Sequence, residues 1–177
     1  MAVAIYGRKF SDNYSPYIQR FFDKLKALDI DFFIYEPFND YLSPRVKIHT
    51  KPGIFTKHDE IRDRVNFLFS IGGDGTFLDA TTFVRDANIP IIGVNTGRLG
   101  FLSGISINDI DQALDDVFNG DYTIDDEVER LDLALLEGLG EVLQADALAA
   151  LGQRRGALGG RTLVGDLAGR PVVGRPQ

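Results

Sequence analysis

Apolar positions along the first 120 residues fall alternately into short runs and into stripes of helical spacing. Val3 to Tyr6, bounded by Gly7, is an apolar run of the length expected for a buried strand. A helix is predicted next, with Ser15 as its cap and Pro16 at the first helical position, where a missing N–H costs nothing. Ile18, Phe21, Phe22 and Leu25 recur at i, i+3, i+4 and i+7, one stripe able to lie on a sheet. Phe32 to Tyr35 predicts a second strand, stopped by Pro37 and followed by a turn-rich stretch to about Lys57. Asn66 to Ile71 predicts a third strand that runs directly into glycines, after which Phe77, Ala80, Thr81 and Val84 resume helical spacing. Pro90 to Val94 predicts a fourth strand, and Asn108 is expected to cap a last helix with Ile110, Ala113, Leu114, Val117 and Phe118 on its inner face. Strand and helix in alternation imply right-handed crossovers, hence an α/β domain with a parallel sheet and helices on both faces.

The pattern changes beyond Tyr122. All thirteen Phe and all six Tyr lie at or before that residue, and the last Lys is Lys57. Six acids (Asp121, Asp125, Asp126, Glu127, Glu129 and Asp132) then stand against Arg130 alone, the signature of a solvated face or linker. The chain after Asp132 is largely Ala, Gly, Leu and Arg, with glycine-rich segments that offer little to pack. The expected organisation is one α/β domain over residues 1–130 and a tail over 131–177, of a composition expected of a disordered or foreign segment.

Composition narrows the class further. A chain of 177 residues, 44% of them hydrophobic, can build one ordinary core. It contains no Cys, so neither disulfides nor thiolate zinc sites hold it together, which fits a cytoplasmic location. No signal segment or membrane span is legible, so no membrane partner is expected. The net charge of -7 argues against a nucleic acid as main partner, while leaving room for a local basic site for phosphates.

The chemistry concentrates in Gly72-Gly73-Asp74-Gly75-Thr76. Three glycines within four residues, between a strand end and a helix start, let a ligand approach the backbone closely and turn N–H groups toward an anion. The helix N-terminus adds roughly half a positive elementary charge. Asp74 is the odd member, since a carboxylate repels phosphates unless a cation or a proton gives it a task. It either holds Mg²⁺ or accepts a proton from a hydroxyl attacking phosphorus; the bland alternative is a tight turn with Asp74 capping the helix. A second loop, Gly93-Val94-Asn95-Thr96-Gly97-Arg98-Leu99-Gly100-Phe101-Leu102, also follows a strand, so both loops are expected to face one crevice. Taken alone, Asn95-Thr96-Gly97 is an ordinary turn, and Phe101 reads either as core or as a stacking platform.

The two loops together, with the opening Ile5-Tyr6-Gly7-Arg8-Lys9-Phe10, resemble the bacterial-type NAD kinases over roughly the first 130 residues. The first loop alone is shared with lipid kinases and, in a related form, with phosphofructokinases; the second narrows the choice. The resemblance implies transfer of the terminal phosphoryl group of ATP, or of polyphosphate, to the adenosine ribose 2′-hydroxyl of NAD, giving NADP, with Mg²⁺ or another divalent cation. Asp74 matches the family's proton acceptor. Gly72, Gly73, Gly75 and Thr76 would line the phosphate and nucleotide site, and Asn95 and Phe101 match positions bordering the NAD pocket. Asp79 departs from the family, which often carries a basic residue there. A following β-rich domain, which the resemblance implies for the rest of the NAD site and for homo-oligomer contacts, has no recognisable motif after Glu129, so impaired turnover is expected of this chain. The alternatives are a nucleotide-binding fragment without catalysis and a lipid or sugar kinase sharing the first loop.

Outside these loops, Arg8 follows the first strand's end and is a candidate phosphate contact. Lys47, Lys51 and Lys57 read either as phosphate contacts from a mobile loop or as a solvated charged loop. His49 and His58 lack neighbours at ligand spacing, so no metal site is expected of them.

Overall fold

The computed structural model describes residues 1–85, 87–97, 104–122, 162–165 and 171–172. The first strand, β1 (Ala2–Gly7), is buried at five consecutive positions, and β4 (Phe67–Gly72) likewise. Unbroken apolar runs are required because helices cover both faces of these central strands. Val3 and Ile5 of β1, with Phe67, Phe69 and Ile71 of β4, pack toward one face; Ala4, Tyr6 and Leu68 pack toward the other.

Helix α1 (Ser15–Ala27) buries Ile18, Phe21, Phe22 and Leu25, the predicted stripe, with Phe21 edge-on to Phe69 at 5.2 Å. The chain returns along β2 (Asp31–Tyr35), parallel to β1. Helix α2 (Glu36–Leu42) follows without a loop, where the sequence predicts a turn: Pro37 stops the strand by opening a helix, at a position whose N–H would be unpaired anyway. Phe38 and Leu42, four residues apart, anchor it. A three-residue strand, β3 (Gly53–Phe55), then pairs parallel with β2.

From β3 the chain crosses back to the other side of β1 and forms β4, then α3 (Asp74–Val84), then β5 (Ile91–Asn95). Helix α3 buries Thr76, Phe77, Ala80, Thr81 and Val84 on the face opposite α1. The short β6 (Ile105–Ser106) pairs parallel with the end of β5, and α4 (Ile110–Asn119) returns to the α1 face. Ion pairs Arg20–Asp111 and Lys24–Asp115 (2.6 Å) join α1 to α4. Two short strands from the C-terminal stretch are also described: β7 (Thr162–Gly165) runs parallel to the start of β5, and β8 (Pro171–Val172) is antiparallel to β7. The remainder of the tail, 123–161, 166–170 and 173–177, lies outside the described residues.

The central order β3-β2-β1-β4-β5 is doubly wound. Its direction of growth reverses between β1 and β4, and ligands of open α/β sheets bind beyond the carboxyl ends of the strands at such a point. Two expected caps are placed differently. Ser15 lies within α1, entered from a single 3-10 turn at Asp12–Tyr14. Ser106, not Asn108, caps the turn before α4, its hydroxyl accepting the Asn108 N–H at 3.2 Å.

Candidate active site

Three strand ends meet at the carboxyl edge of the sheet. Register places Gly7 beside Ile71 and Gly72 beside Asn95, so the ends of β1, β4 and β5 finish nearly level. The Arg8 N–H reaches the Ile71 carbonyl at 3.4 Å, and the Thr96 N–H donates to the Gly72 carbonyl at 3.2 Å. The second of these bonds ties the two glycine-bearing loops together, so they share one crevice as the sequence predicts.

The glycines of the first loop divide into two kinds. A Cβ on Gly72 would lie 2.6 Å from Thr76 Cβ and nearer still to its hydroxyl, because the buried Thr76 folds back over the strand end. Gly72 is therefore glycine for the sake of packing. At Gly73 and Gly75 a Cβ would meet nothing within 4 Å among the described residues. Gly73 has extended backbone (φ -107°, ψ -170°), and Gly75 sits in the first turn of α3, so neither needs glycine's conformational freedom. Gly73 is at the cap position, which glycine suits, whereas Gly75 within the helix gives up helix propensity, up to about 1 kcal/mol against alanine, with no described packing to offset it.

The same two residues leave donors bare. The Thr76 and Phe77 N–H groups turn back to the Gly73 carbonyl at 2.9 and 3.0 Å, whereas those of Gly73 and Gly75 have no acceptor among the described residues. Gly73, as the cap residue, supplies no side chain to satisfy them. Exposed amides at a helix start, with the helix dipole behind them, form an anion site. Asp74 is the first residue of α3 and is partly exposed beside these amides.

Asn95 ends β5 and is 4% exposed; its side-chain oxygen accepts the Gly97 N–H at 2.7 Å, so it folds its own turn. Phe101, with Arg98 to Leu102, lies outside the described residues. Arg8 pairs with Asp79, five residues beyond Asp74 on α3, and the Tyr6 hydroxyl lies 3.5 Å from the same carboxylate. Burial pushes the Tyr6 phenol above its ordinary value, with Arg8 opposing and Asp79 adding. Arg8 is raised by the phenol first and by Asp79 second, and stays charged. Asp79, to which the sequence assigns no role, thus ties Arg8 at the end of β1 to α3. Its partner lies 71 positions away in sequence, so no local pattern announces the pairing.

The other candidates scatter. Lys57 follows β3 at the carboxyl edge, whereas Lys51 precedes it at the opposite edge. The Lys47 backbone is held by Gln19, His49 lies 3.5 Å from Asp23 on α1, and His58 is buried with Nδ1 2.7 Å from the Phe83 carbonyl. Among the described residues no helix is long and apolar enough to cross a membrane.

Residues 45–122 match the ATP-NAD kinase N-terminal domain. The chain is 38% identical over 127 residues to an NAD kinase of Cytophaga hutchinsonii, covering 70% of this chain and 42% of that protein. It is 39% identical over 124 residues to an NAD kinase of Flavobacterium psychrophilum, with the same coverage, and 34% identical over 140 residues to one of Bacteroides fragilis, covering 77% and 45%. It therefore spans less than half the length of the curated relatives it matches. The crystal structure of yeast NADH kinase complexed with NADH shares the fold, with a TM-score of 0.58 at 19% identity over 70% of this chain and 39% of that one. Residues 1 to 122 include the matched segment and supply the three strand ends of the crevice; the chain carries an N-terminal domain of the NAD kinase family.

Proposed function

We propose that this chain is the nucleotide-binding half of an NAD kinase, working in the cytoplasm on NAD and ATP rather than on a nucleic acid or a membrane. The observation that carries the reading is the pair of open glycines, Gly73 and Gly75, where among the described residues a side chain would meet no neighbour and the amides find no acceptor. Phosphate oxygens at that position would take these amides, with Gly72 and Thr76 shaping the turn beneath. Arg8 would contribute charge from the end of β1. Asn95 and Phe101 would border the NAD pocket from the second loop.

In the proposed reaction the adenosine ribose 2′-oxygen of NAD bonds to the terminal phosphorus of ATP while the bond from that phosphorus to the bridging oxygen breaks. NADP and ADP result. The hydroxyl proton passes to the Asp74 carboxylate and then to solvent. A weak base suffices, because phosphoryl transfer is loose and depends chiefly on positioning and charge stabilisation. Among the described residues there is no cluster of three or more carboxylate or imidazole ligands. Asp74 beside a triphosphate still suits Mg²⁺, which is commonly held by one or two carboxylates together with substrate phosphates. When bound, Mg²⁺ would neutralise charge developing on the phosphates.

The test is NADP formation by the purified chain with ATP, Mg²⁺ and NAD, beside Asp74→Asn. The substitution is expected to lower the rate by about 10²- to 10⁴-fold, the range for loss of a general base, while leaving ATP affinity in place. Equal rates in the two proteins would remove Asp74 from the chemistry. Phosphorylation of a sugar or lipid in preference to NAD would replace the acceptor.

A further inference from the structure

The amino edge of the sheet, remote from the glycine loop, carries a cleft of its own. It lies around the start of β2, between the α1–β2 junction and the segments that lead into β3 and β4, and holds about 530 Å³, within the range of small-molecule sites. Strand β1 runs six residues from Ala2, on this cleft, to Gly7, at the crevice, so about 17 Å separates the two edges. A small molecule in the cleft therefore does not reach the glycine loop.

Its two walls differ in charge. The junction contributes Asp29 and Asp31, with Lys26 on the last turn of α1; the opposite wall contributes Lys51 and Arg64. Acids and bases thus rim one cleft, yet the side chains of Lys26, Asp29, Asp31 and Lys51 make no ion pair or hydrogen bond among the described residues. Arg64 is held in place: its guanidinium lies 4.4 Å from the centre of the Phe33 ring and gives one N–H to the Glu60 carbonyl at 3.1 Å. The other N–H groups of its fork have no acceptor among the described residues. Phe33 in turn needs Gly53, where a Cβ would lie 2.3 Å from the ring. Asp29 ends α1 in the left-handed conformation (φ 52°), with its N–H on the Lys26 carbonyl at 3.1 Å and the Ile30 N–H on the Leu25 carbonyl at 3.0 Å. Glycine is the usual residue at such a position, and the Asp29 carboxylate caps no N–H of the turn, so the turn itself does not call for an acid.

We infer that this cleft is a second binding site, for a small zwitterion whose ammonium is taken by Asp29 and Asp31 and whose carboxylate or phosphate is taken by Arg64 and Lys51. Opposite charges held apart in one cleft are satisfied together by a molecule that carries both and bridges them. A plain anion would meet the two carboxylates, and a plain cation the guanidinium and the ammonium. The site is separate from the kinase chemistry and stands without it.

Amide-resolved NMR titration of the full chain with O-phosphoethanolamine and with β-alanine tests it, beside inorganic phosphate, ethylammonium and the exposed substitutions Lys51→Glu and Asp31→Asn. At least one zwitterion is expected to shift the amides of residues 29–33, 51, 53 and 64, and to bind there at least about tenfold more tightly than phosphate or ethylammonium. Which zwitterion binds better tells whether the anionic end is a phosphate or a carboxylate. Lys51→Glu should weaken that zwitterion by about tenfold and Asp31→Asn by about threefold, with the spectrum outside the cleft unchanged as the check on folding. Inorganic phosphate is expected to move Gly73 and Gly75 instead. Shifts confined to the glycine loop, or no shift from either zwitterion at about 10 mM, would overturn the inference. So would phosphate or ethylammonium binding in the cleft as tightly as the zwitterion, or indifference to both substitutions. The kinase reading is untouched by any of these results.

Discussion

Two helical starts on the same face of the sheet are finished differently. At the single turn His58–Glu60, the Glu60 carboxylate accepts the N–H groups of Thr56 at 2.6 Å and Lys57 at 3.0 Å, with the Thr56 hydroxyl at 3.2 Å. At the start of α3 no side chain caps the turn, and the amides of Gly73 and Gly75 have no acceptor among the described residues. The glycines divide in the same way, since Gly72 is required by the close approach of Thr76 while a Cβ at Gly73 or Gly75 would meet no described neighbour. One turn is completed by the protein's own carboxylate. The other keeps donors without a described acceptor, which the proposed phosphate site would use.

That contrast can be broken at several points. Gly72→Ala forces a methyl into Thr76 and is expected to destabilise the fold by about 1–3 kcal/mol, the usual cost of overpacking, read as a lower denaturant midpoint. An unchanged midpoint would mean that the strand end is looser than its packing implies.

A smaller effect is expected at Glu60, whose acidity is strengthened first by the Thr56 amide and then by the Lys57 amide. A carboxyl depressed in the folded state contributes stability above its unfolded value near 4.5 and loses it as pH falls through the lower folded value. Glu60→Gln keeps an acceptor and removes the charge. It should melt below the parent at neutral pH, and the gap should close as pH falls through that window. A gap independent of pH would assign the turn's stability to something other than the charged cap.

Much of this frame was legible from hydrophobic spacing. β1, β4 and β5 are buried on both faces and read as unbroken apolar runs, and α1, α3 and α4 carry stripes of three or more buried positions. Helix α2 and strand β3 were not legible, because α2 buries only Phe38 and Leu42 and β3 only Phe55, too few positions to show a period. The juxtaposition of the two loops followed from strand adjacency. The bridge from Arg8 to Asp79 and the cleft at the amino edge of the sheet did not, since both depend on tertiary approach between segments whose local patterns spell only packing. Pro37 marks the limit: a proline after a strand announces an end to it, and only the packing of Phe38 and Leu42 turns that end into a helix start.

The most direct test of the central claim is to measure stability and ATP affinity together in a Gly73→Ala, Gly75→Ala double variant. Because the added methyl groups meet no described protein atom, and the helix propensity gained at Gly75 offsets the cap preference lost at Gly73, stability is predicted to stay within about 1 kcal/mol of the parent while ATP affinity falls about tenfold or more. A loss of stability with ATP affinity intact would contradict the account, placing these glycines in the service of the fold and the phosphate site elsewhere.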